Sequence, residues 1–250
     1  MNQLEGKIAI VTGGAAGFGE GIVRLYVAQG ARVVIADLDT AKGEALAVEL
    51  GDNAHFFRCD VSSRNNIDGL VEACTAKFGV PDIVVNNADT THNNMPMLEV
   101  DEHTFDMMFA VNVKSIYDMA HAVVPLMRQR KKGVILNVGS TAGIRPRPGL
   151  TWYNGSKGAV NMLSKSMAVE LGPDNIRVNA ICPVMGETGL LSKFMGVPDT
   201  PENRARFIAT IPLGRLCRAS DVAAAALYLG SDAAEFISGV EFPVDGARTV

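Results

Sequence analysis

Short runs of apolar, often β-branched residues alternate along this chain with longer stretches whose apolar positions recur three or four residues apart. The first run, Lys7-Ile8-Ala9-Ile10-Val11-Thr12, stops at glycines, the pattern of a buried parallel strand. From Gly19 to Gly30 the apolar residues Ile22, Val23, Leu25, Tyr26 and Val27 keep near-helical spacing, and Gly30 suits the position just past a helix end. Ala31-Arg32-Val33-Val34-Ile35-Ala36-Asp37 reads as a second strand. A strand-helix-strand unit of about 30 residues predicts a right-handed crossover between parallel strands.

The alternation predicts a helix over 40 to 50, a strand at His55 to Asp60, a helix over 64 to 78 and a strand at Asp82 to Asn86. A long helix ending near Arg130, a strand at Gly133 to Val138, a helix from Tyr153 to Leu171 and a strand at Ile176 to Ile181 follow. This order predicts an α/β fold: one domain over residues 1 to 250, a doubly wound, mostly parallel sheet of Rossmann type with helices on both faces. Residues 184 to 212 break the pattern with glycines and prolines, which predicts an excursion that covers a ligand as a lid.

With 250 residues, 48% of them hydrophobic, the chain can bury a large core, and no linker or low-complexity tract divides it. A net charge of −4 leaves no electrostatic footprint for nucleic acid or an anionic membrane. The one basic run, Arg128-Gln129-Arg130-Lys131-Lys132, suits a helix C-terminus. Cys59, Cys74, Cys182 and Cys217 lie far apart and the histidines have no partners at ligand spacing, so neither disulfide nor metal is expected. A start without a basic, apolar leader and the lack of a run near the ~18 apolar residues of a membrane helix predict a cytoplasmic protein.

Candidate chemistry sharpens the picture. Gly13-x-x-x-Gly17-x-Gly19 falls between the first strand and the first helix, where glycines let a backbone approach a pyrophosphate and the helix N-terminus offers N–H donors. An ordinary tight turn has the same composition. Asp37 ends the second strand, placed to accept hydrogen bonds from an adenosine ribose and to repel a 2′-phosphate; with alanines at 15 and 16 in the turn, this favours NAD. Tyr153 and Lys157 stand four residues apart, one helical turn, with Ser140 thirteen residues upstream. A nearby ammonium favours phenolate, so such a pair can serve as an acid/base, although an exposed helical pair shares the spacing.

Taken in order, these motifs resemble the short-chain dehydrogenase/reductase family over essentially the whole chain. Thr12 to Gly19, Phe18 included, matches its TGxxxGxG turn, Asp60-Val61 its adenine-contacting pair, and Asn86-Asn87-Ala88 most of its NNAG. Asn112 matches its helix asparagine, Ser140, Tyr153 and Lys157 its active-site trio, and Pro183 and Thr188 the ends of its PGxxxT. The resemblance implies that Tyr153 is the general acid/base, that Ser140 bonds the substrate oxygen, and that Lys157 lowers the tyrosine pKa and holds the nicotinamide ribose. It implies a proton-relaying water supported by Asn112, a small alcohol or carbonyl substrate, and a homotetramer built through helices near 104 to 130 and 153 to 171 and the C-terminal segment.

Two positions depart from the pattern. Asp89 stands where the family has glycine, bringing a negative charge toward the dinucleotide and strain if φ is positive. Val184 replaces the glycine of the PG pair, predicting a different path into the lid. A narrower resemblance, in Thr90-Thr91-His92, Arg145 to Tyr153, Gly186-Glu187-Thr188 and Phe194 to Val197, is to a bacterial subgroup that includes a 4-formylbenzenesulfonate dehydrogenase. It makes His92, Arg145, Trp152 and Glu187 candidate substrate residues, with Arg145 or Arg147 pairing an anionic group; a solvated loop stiffened by Pro146 and Pro148 fits as well. Two other readings stay open: a dinucleotide-sensing scaffold without turnover, or catalysis on a 3-oxoacyl thioester or a sugar.

Overall fold

A computed structural model describes residues 2 to 250. Strands β1 (Ile8–Thr12), β2 (Arg32–Asp37), β3 (Ala54–Arg58), β4 (Ile83–Asn86), β5 (Gly133–Val138), β6 (Ile176–Pro183) and β7 (Glu241–Val244) form one sheet in the order β3-β2-β1-β4-β5-β6-β7. Every neighbouring pair is parallel, with Val11 opposite Ile35 and Val85, and Leu136 opposite Val85 and Asn179. Helices α1 (Gly17–Ala28), α2 (Thr40–Leu50), α3 (Arg64–Lys77), α4 (Glu102–Phe109), α5 (Ser115–Arg130), α6 (Thr151–Leu171), α7 (Leu191–Met195), α8 (Pro201–Ile208) and α9 (Ala219–Gly230) complete the chain.

The two-residue period of the strands sorts the core into two layers. Ala9, Val11, Val33, Ile35, Ile83 and Val85 face a cluster with Ile22, Val23 and Tyr26 of α1 and Val222, Ala226 and Leu229 of α9. Their neighbours Ile8, Ile10, Val34, Ala36 and Val84 face the opposite cluster, with Ile67, Leu70 and Val71 of α3 and Met119, Val123 and Met127 of α5. Helices therefore cover both faces, and the expected doubly wound fold is the observed one. The strand order reverses between β1 and β4, which places a crevice at their carboxyl ends.

Three details depart from the expected elements. The long central helix is α4 and α5 joined by a π-helical turn at Ala110–Lys114. Helix α9 and strand β7 lie beyond the last strand that the hydrophobic pattern predicts; β7 contains Pro243, which an edge strand tolerates. The excursion after β6 contains α7 and α8; Leu191 and Met195 of α7 form a small cluster with Ile211 and Leu216, and Phe207 and Ile208 of α8 pack against it.

Candidate active site

The glycine turn is shaped by close approach. Gly13 and Gly17 take left-handed φ of +61° and +57°, and a Cβ at Gly19 would overlap the Gly13 carbonyl. The turn is braced from β4: Asn87 Nδ2 donates to Thr12 O at 2.9 Å and to Gly13 O at 3.1 Å, while Thr12 Oγ1 accepts from the backbone of Asn87 and Ala88. Asp37 accepts from the Ala15 N–H at 2.9 Å, fixing its carboxylate at the mouth of the turn. Asp60 accepts from the backbone and hydroxyl of Ser62, which orients the start of the Asp60-Val61 pair. The Thr188 methyl would lie 3.4 Å from a Cβ placed on Gly17, so the first residues after β6 sit directly over the turn.

Two further close approaches bring the reactive side chains together. Gly139 follows β5, where a Cβ would overlap Asn161 Oδ1, and Gly143 presses on the α6 backbone, where a Cβ would fall 2.7 Å from the Lys157 carbonyl. Ser140 is thereby set against α6 at the level of Tyr153. Its hydroxyl accepts from the Ala142 N–H at 3.1 Å and lines the same cavity as the Tyr153 phenol. Tyr153 and Lys157 are 4% and 2% exposed, so both polar ends are withdrawn from bulk water. Lys157 Nζ donates to Val138 O at 2.9 Å and lies 5.7 Å from the Tyr153 ring centroid. Asn112, in the π turn, donates to Thr90 O and to Ser156 Oγ and accepts from the Thr90 N–H; Ser156 donates in turn to Tyr153 O at 2.8 Å.

Asp89 enters the middle of this group. Tyr153 OH donates to its Oδ2 at 3.1 Å, and Lys157 Nζ lies 3.1 Å from its Oδ1. Burial first, and the Asp89 charge second, push the tyrosine pKa well above its ordinary value, against a smaller downward pull from Ser140. In this arrangement the lysine ammonium faces a carboxylate beside the phenol, which opposes the expected lowering of the tyrosine pKa. The expected backbone strain is absent: the non-glycine residues with positive φ are Lys131, Asn175 and Ala247 among the described residues, not Asp89. Val184 extends the sheet, donating its N–H to Val244 O at 3.1 Å, and Gly186 then turns the chain flat against Phe18.

One cavity of about 650 Å3 joins these parts. Gly13, Gly17, Phe18, Asp37, Asp60 and Val61 line one side, Asn87, Ala88, Ser140, Tyr153, Pro183 and Thr188 the middle. Gly19, Asn112 and Lys157 lie behind its wall. Residues of the excursion, among them Met185, Leu190, Phe194, Phe207 and Ile211, cover the far side, where Arg145, Arg147 and Arg248 also line it. Three candidate substrate residues are elsewhere. His92 is buried, with Nδ1 2.7 Å from Asn93 O, and takes no part in the lining. Trp152 turns away to donate to Met97 O at 2.9 Å and packs edge-on against Phe105, and Glu187 is exposed. Ser156 and Arg248 are site neighbours that local pattern does not single out, because Asn112 and Arg145, which reach them, are distant in the chain.

Comparison with known proteins agrees with this geometry. Residues 13 to 248 match a family model described as enoyl-(acyl carrier protein) reductase. The chain is 47% identical to the 4-formylbenzenesulfonate dehydrogenase TsaC1/TsaC2 of Comamonas testosteroni, over 99% of this chain and 100% of that one. It is 34% identical to a cyclopentanol dehydrogenase of Comamonas sp. (strain NCIMB 9872), over 100% and 99% of the two chains. The crystal structure of a 3-ketoacyl-(acyl-carrier-protein) reductase from Brucella melitensis, complexed with NADH, superposes with a TM-score of 0.93 at 43% identity, covering 99% of this chain and 100% of that chain. With a parallel seven-stranded sheet, a glycine turn at its switch point and relatives matched end to end, the chain belongs to the short-chain dehydrogenase/reductase family of oxidoreductases.

Proposed function

We propose that this protein is an NAD-dependent oxidoreductase that interconverts an alcohol with a ketone or aldehyde, with Tyr153 as general acid/base. The observation that carries the reading is the single cavity running from Asp37 and the glycine turn to the hydroxyls of Ser140 and Tyr153. The residues fit the cofactor: Gly13 and Gly17 leave backbone accessible to a pyrophosphate, Asp37 offers acceptors to a ribose, and Thr188 is at hand for a carboxamide. When bound, the nicotinamide takes up or returns the hydride. The chain supplies the rest. Ser140 and Tyr153 hold the substrate oxygen between two hydroxyls, and Tyr153 takes the hydroxyl proton in oxidation or returns it in reduction. Lys157 stabilises the phenolate once its ammonium is free of Asp89, and Asn112 with Ser156 holds the backbone of Tyr153 in place. Residues 184 to 212 close over the substrate as a lid, and the molecule assembles as a homotetramer. Substrates of the alcohol and aldehyde type agree with the names of the two Comamonas relatives; a 3-oxoacyl thioester is the alternative that the Brucella neighbour favours.

The test is Tyr153→Phe. Turnover should fall by roughly 10²–10⁴-fold, while NADH still binds, followed by energy transfer from Trp152, the only tryptophan. A near wild-type rate would overturn the assignment. The Asp89 bridge favours a second reading, a dinucleotide-binding protein without turnover. An inactive wild-type chain that gains activity on Asp89→Gly would decide for it.

A further inference from the structure

The middle of the cavity carries one negative side chain. Of the carboxylates that line it, Asp37 and Asp60 belong to the glycine-turn end, and Asp89 alone stands with Ser140 and Tyr153 among the described residues. Lys157 behind the wall and Arg145, Arg147 and Arg248 on the far side are positive. Asp89 Oδ2 accepts from Tyr153 OH at 3.1 Å. Its Oδ1, 3.1 Å from Lys157 Nζ, is buried and has no hydrogen-bond partner among the described residues, so the carboxylate keeps bonding capacity to spare beside the phenol.

The backbone fixes Asp89 in this place. On one side Ala88 donates its N–H to Thr12 Oγ1 at 3.1 Å; on the other, Thr90 donates its N–H to Asn112 Oδ1 and accepts from Asn112 Nδ2, both at 2.9 Å. With its neighbours tied to β1 and to the π turn, Asp89 can rotate its side chain but cannot leave the wall. Hydride transfer requires the nicotinamide to touch the carbon whose oxygen Tyr153 and Ser140 hold, so the ring enters the part of the cavity that Asp89 occupies. Oxidation of an alcohol sends two electrons and one hydrogen from its carbon to the ring, and the hydroxyl proton to Tyr153. The ring is a cation before the transfer and neutral after it. A carboxylate fixed in a water-poor site distinguishes those two forms by charge.

We propose that Asp89 is a redox-state selector, whose carboxylate holds the oxidised, cationic cofactor more tightly than the reduced, neutral one. This role for Asp89 rests on the dehydrogenase reading above and deepens it. The overall equilibrium of the reaction is untouched. In a mixed pool, however, the site is weighted toward NAD+ and releases NADH more readily, which suits the chain to alcohol oxidation. Side-chain bulk acts on both forms alike, so the ratio of their dissociation constants isolates the charge.

Calorimetry with NAD+, NADH and ADP-ribose on the wild type, Asp89→Asn and Asp89→Gly tests it. The ratio of Kd for NADH to Kd for NAD+ should fall about tenfold in both variants, as loss of one charge gives at an effective dielectric constant of about 20. Asp89→Asn keeps the bulk, so NAD+ should weaken relative to NADH while ADP-ribose, which lacks the nicotinamide, binds as in the wild type. Asp89→Gly also opens space and should tighten both forms, NADH the more. A ratio that stays at the wild-type value in both variants would overturn the proposal. So would a gain shared equally by NAD+, NADH and ADP-ribose in Asp89→Asn, which would place the action of the charge on the phosphates. The expected ratio shift without turnover of any alcohol or aldehyde keeps Asp89 as selector and overturns the dehydrogenase reading. Alcohol turnover with an unchanged ratio does the reverse, and a wild type and Asp89→Gly that bind neither form overturn both.

Discussion

A carboxylate between a phenol and an ammonium is the feature that most alters the chemistry of this site. Asp89 accepts from Tyr153 OH and sits 3.1 Å from Lys157 Nζ, both of them nearly inaccessible to water. On the proposed mechanism alcohol oxidation needs the phenolate, so its rate should rise as pH climbs through the tyrosine pKa, and Asp89 pushes that pKa up. Asp89→Gly should therefore shift the ascending limb of the kcat/KM profile for oxidation to lower pH and lower the KM for NAD. Asp89→Asn, which keeps the bulk and removes the charge, should reproduce the pH shift. A limb that stays in place in both variants would show that the carboxylate swings clear of the pair when the cofactor binds. At this scale the sequence is informative about residue type and silent about direction. Tyr153 and Lys157 share one face of α6, as their spacing predicts, and Asp89 stands out in the sequence as a misplaced charge. That one side chain contacts both members of the pair depends on how the end of β4 meets α6, which no local pattern encodes. Ser156 is invisible for the same reason, being one helical serine among several until Asn112 reaches it.

Among elements, three segments meet at Asn94. Asn94 donates its backbone N–H to Lys193 O at 2.9 Å and its side chain to Pro148 O at 3.0 Å, tying the segment after β4 to α7 and to the loop that carries Arg147. Gly149 and Gly196 take φ of +74° and +64° against it, and a Cβ on Gly196 would fall 2.7 Å from Asn94 Cβ. Removing the side chain leaves the Pro148 carbonyl without its donor, a loss of about 1 kcal/mol. Asn94→Ala should raise the substrate KM by about fivefold with a smaller effect on kcat, and should speed amide exchange in α7. Unchanged KM together with unchanged exchange would show that α7 is held by its own apolar cluster. The core strands were legible because burial on both faces leaves near-continuous apolar runs, and α1, α3 and α6 because their apolar stripes are regular. Strand β7 is four residues with a proline, and α9 carries alanine on its exposed as well as its buried positions, which blurs the stripe to the eye. The π turn that carries Asn112 interrupts a helix without any glycine or proline to mark it.

For the whole molecule, the unsatisfied surface points to assembly. No helix among the described residues is long and apolar enough to cross a membrane, yet large apolar side chains stand exposed on the outer helices. Met162 and Val169 of α6 are 62% and 82% exposed, seven residues apart and so on one face, and Tyr117 of α5 is 57% exposed. Phe236, near the C-terminal strand, is fully exposed. The apolar row on α6 and Tyr117 on α5, with Gly155 on α6 leaving open space beside the backbone, suit the proposed helix-on-helix contact between copies of the chain, in which each α6 would also steady the Tyr153 and Lys157 that it carries on its inner face. Sedimentation equilibrium should give a species four times the 26.5 kDa chain mass. Met162→Glu combined with Val169→Glu places like charges on that face without touching the core, so the tetramer should dissociate into smaller species that keep their helical circular dichroism. Turnover should fall with assembly, because α6 loses the partner that holds it. A wild-type monomer at micromolar concentration would remove the interface. A tetramer that survives the double variant would move the contact to the C-terminal surface around Phe236.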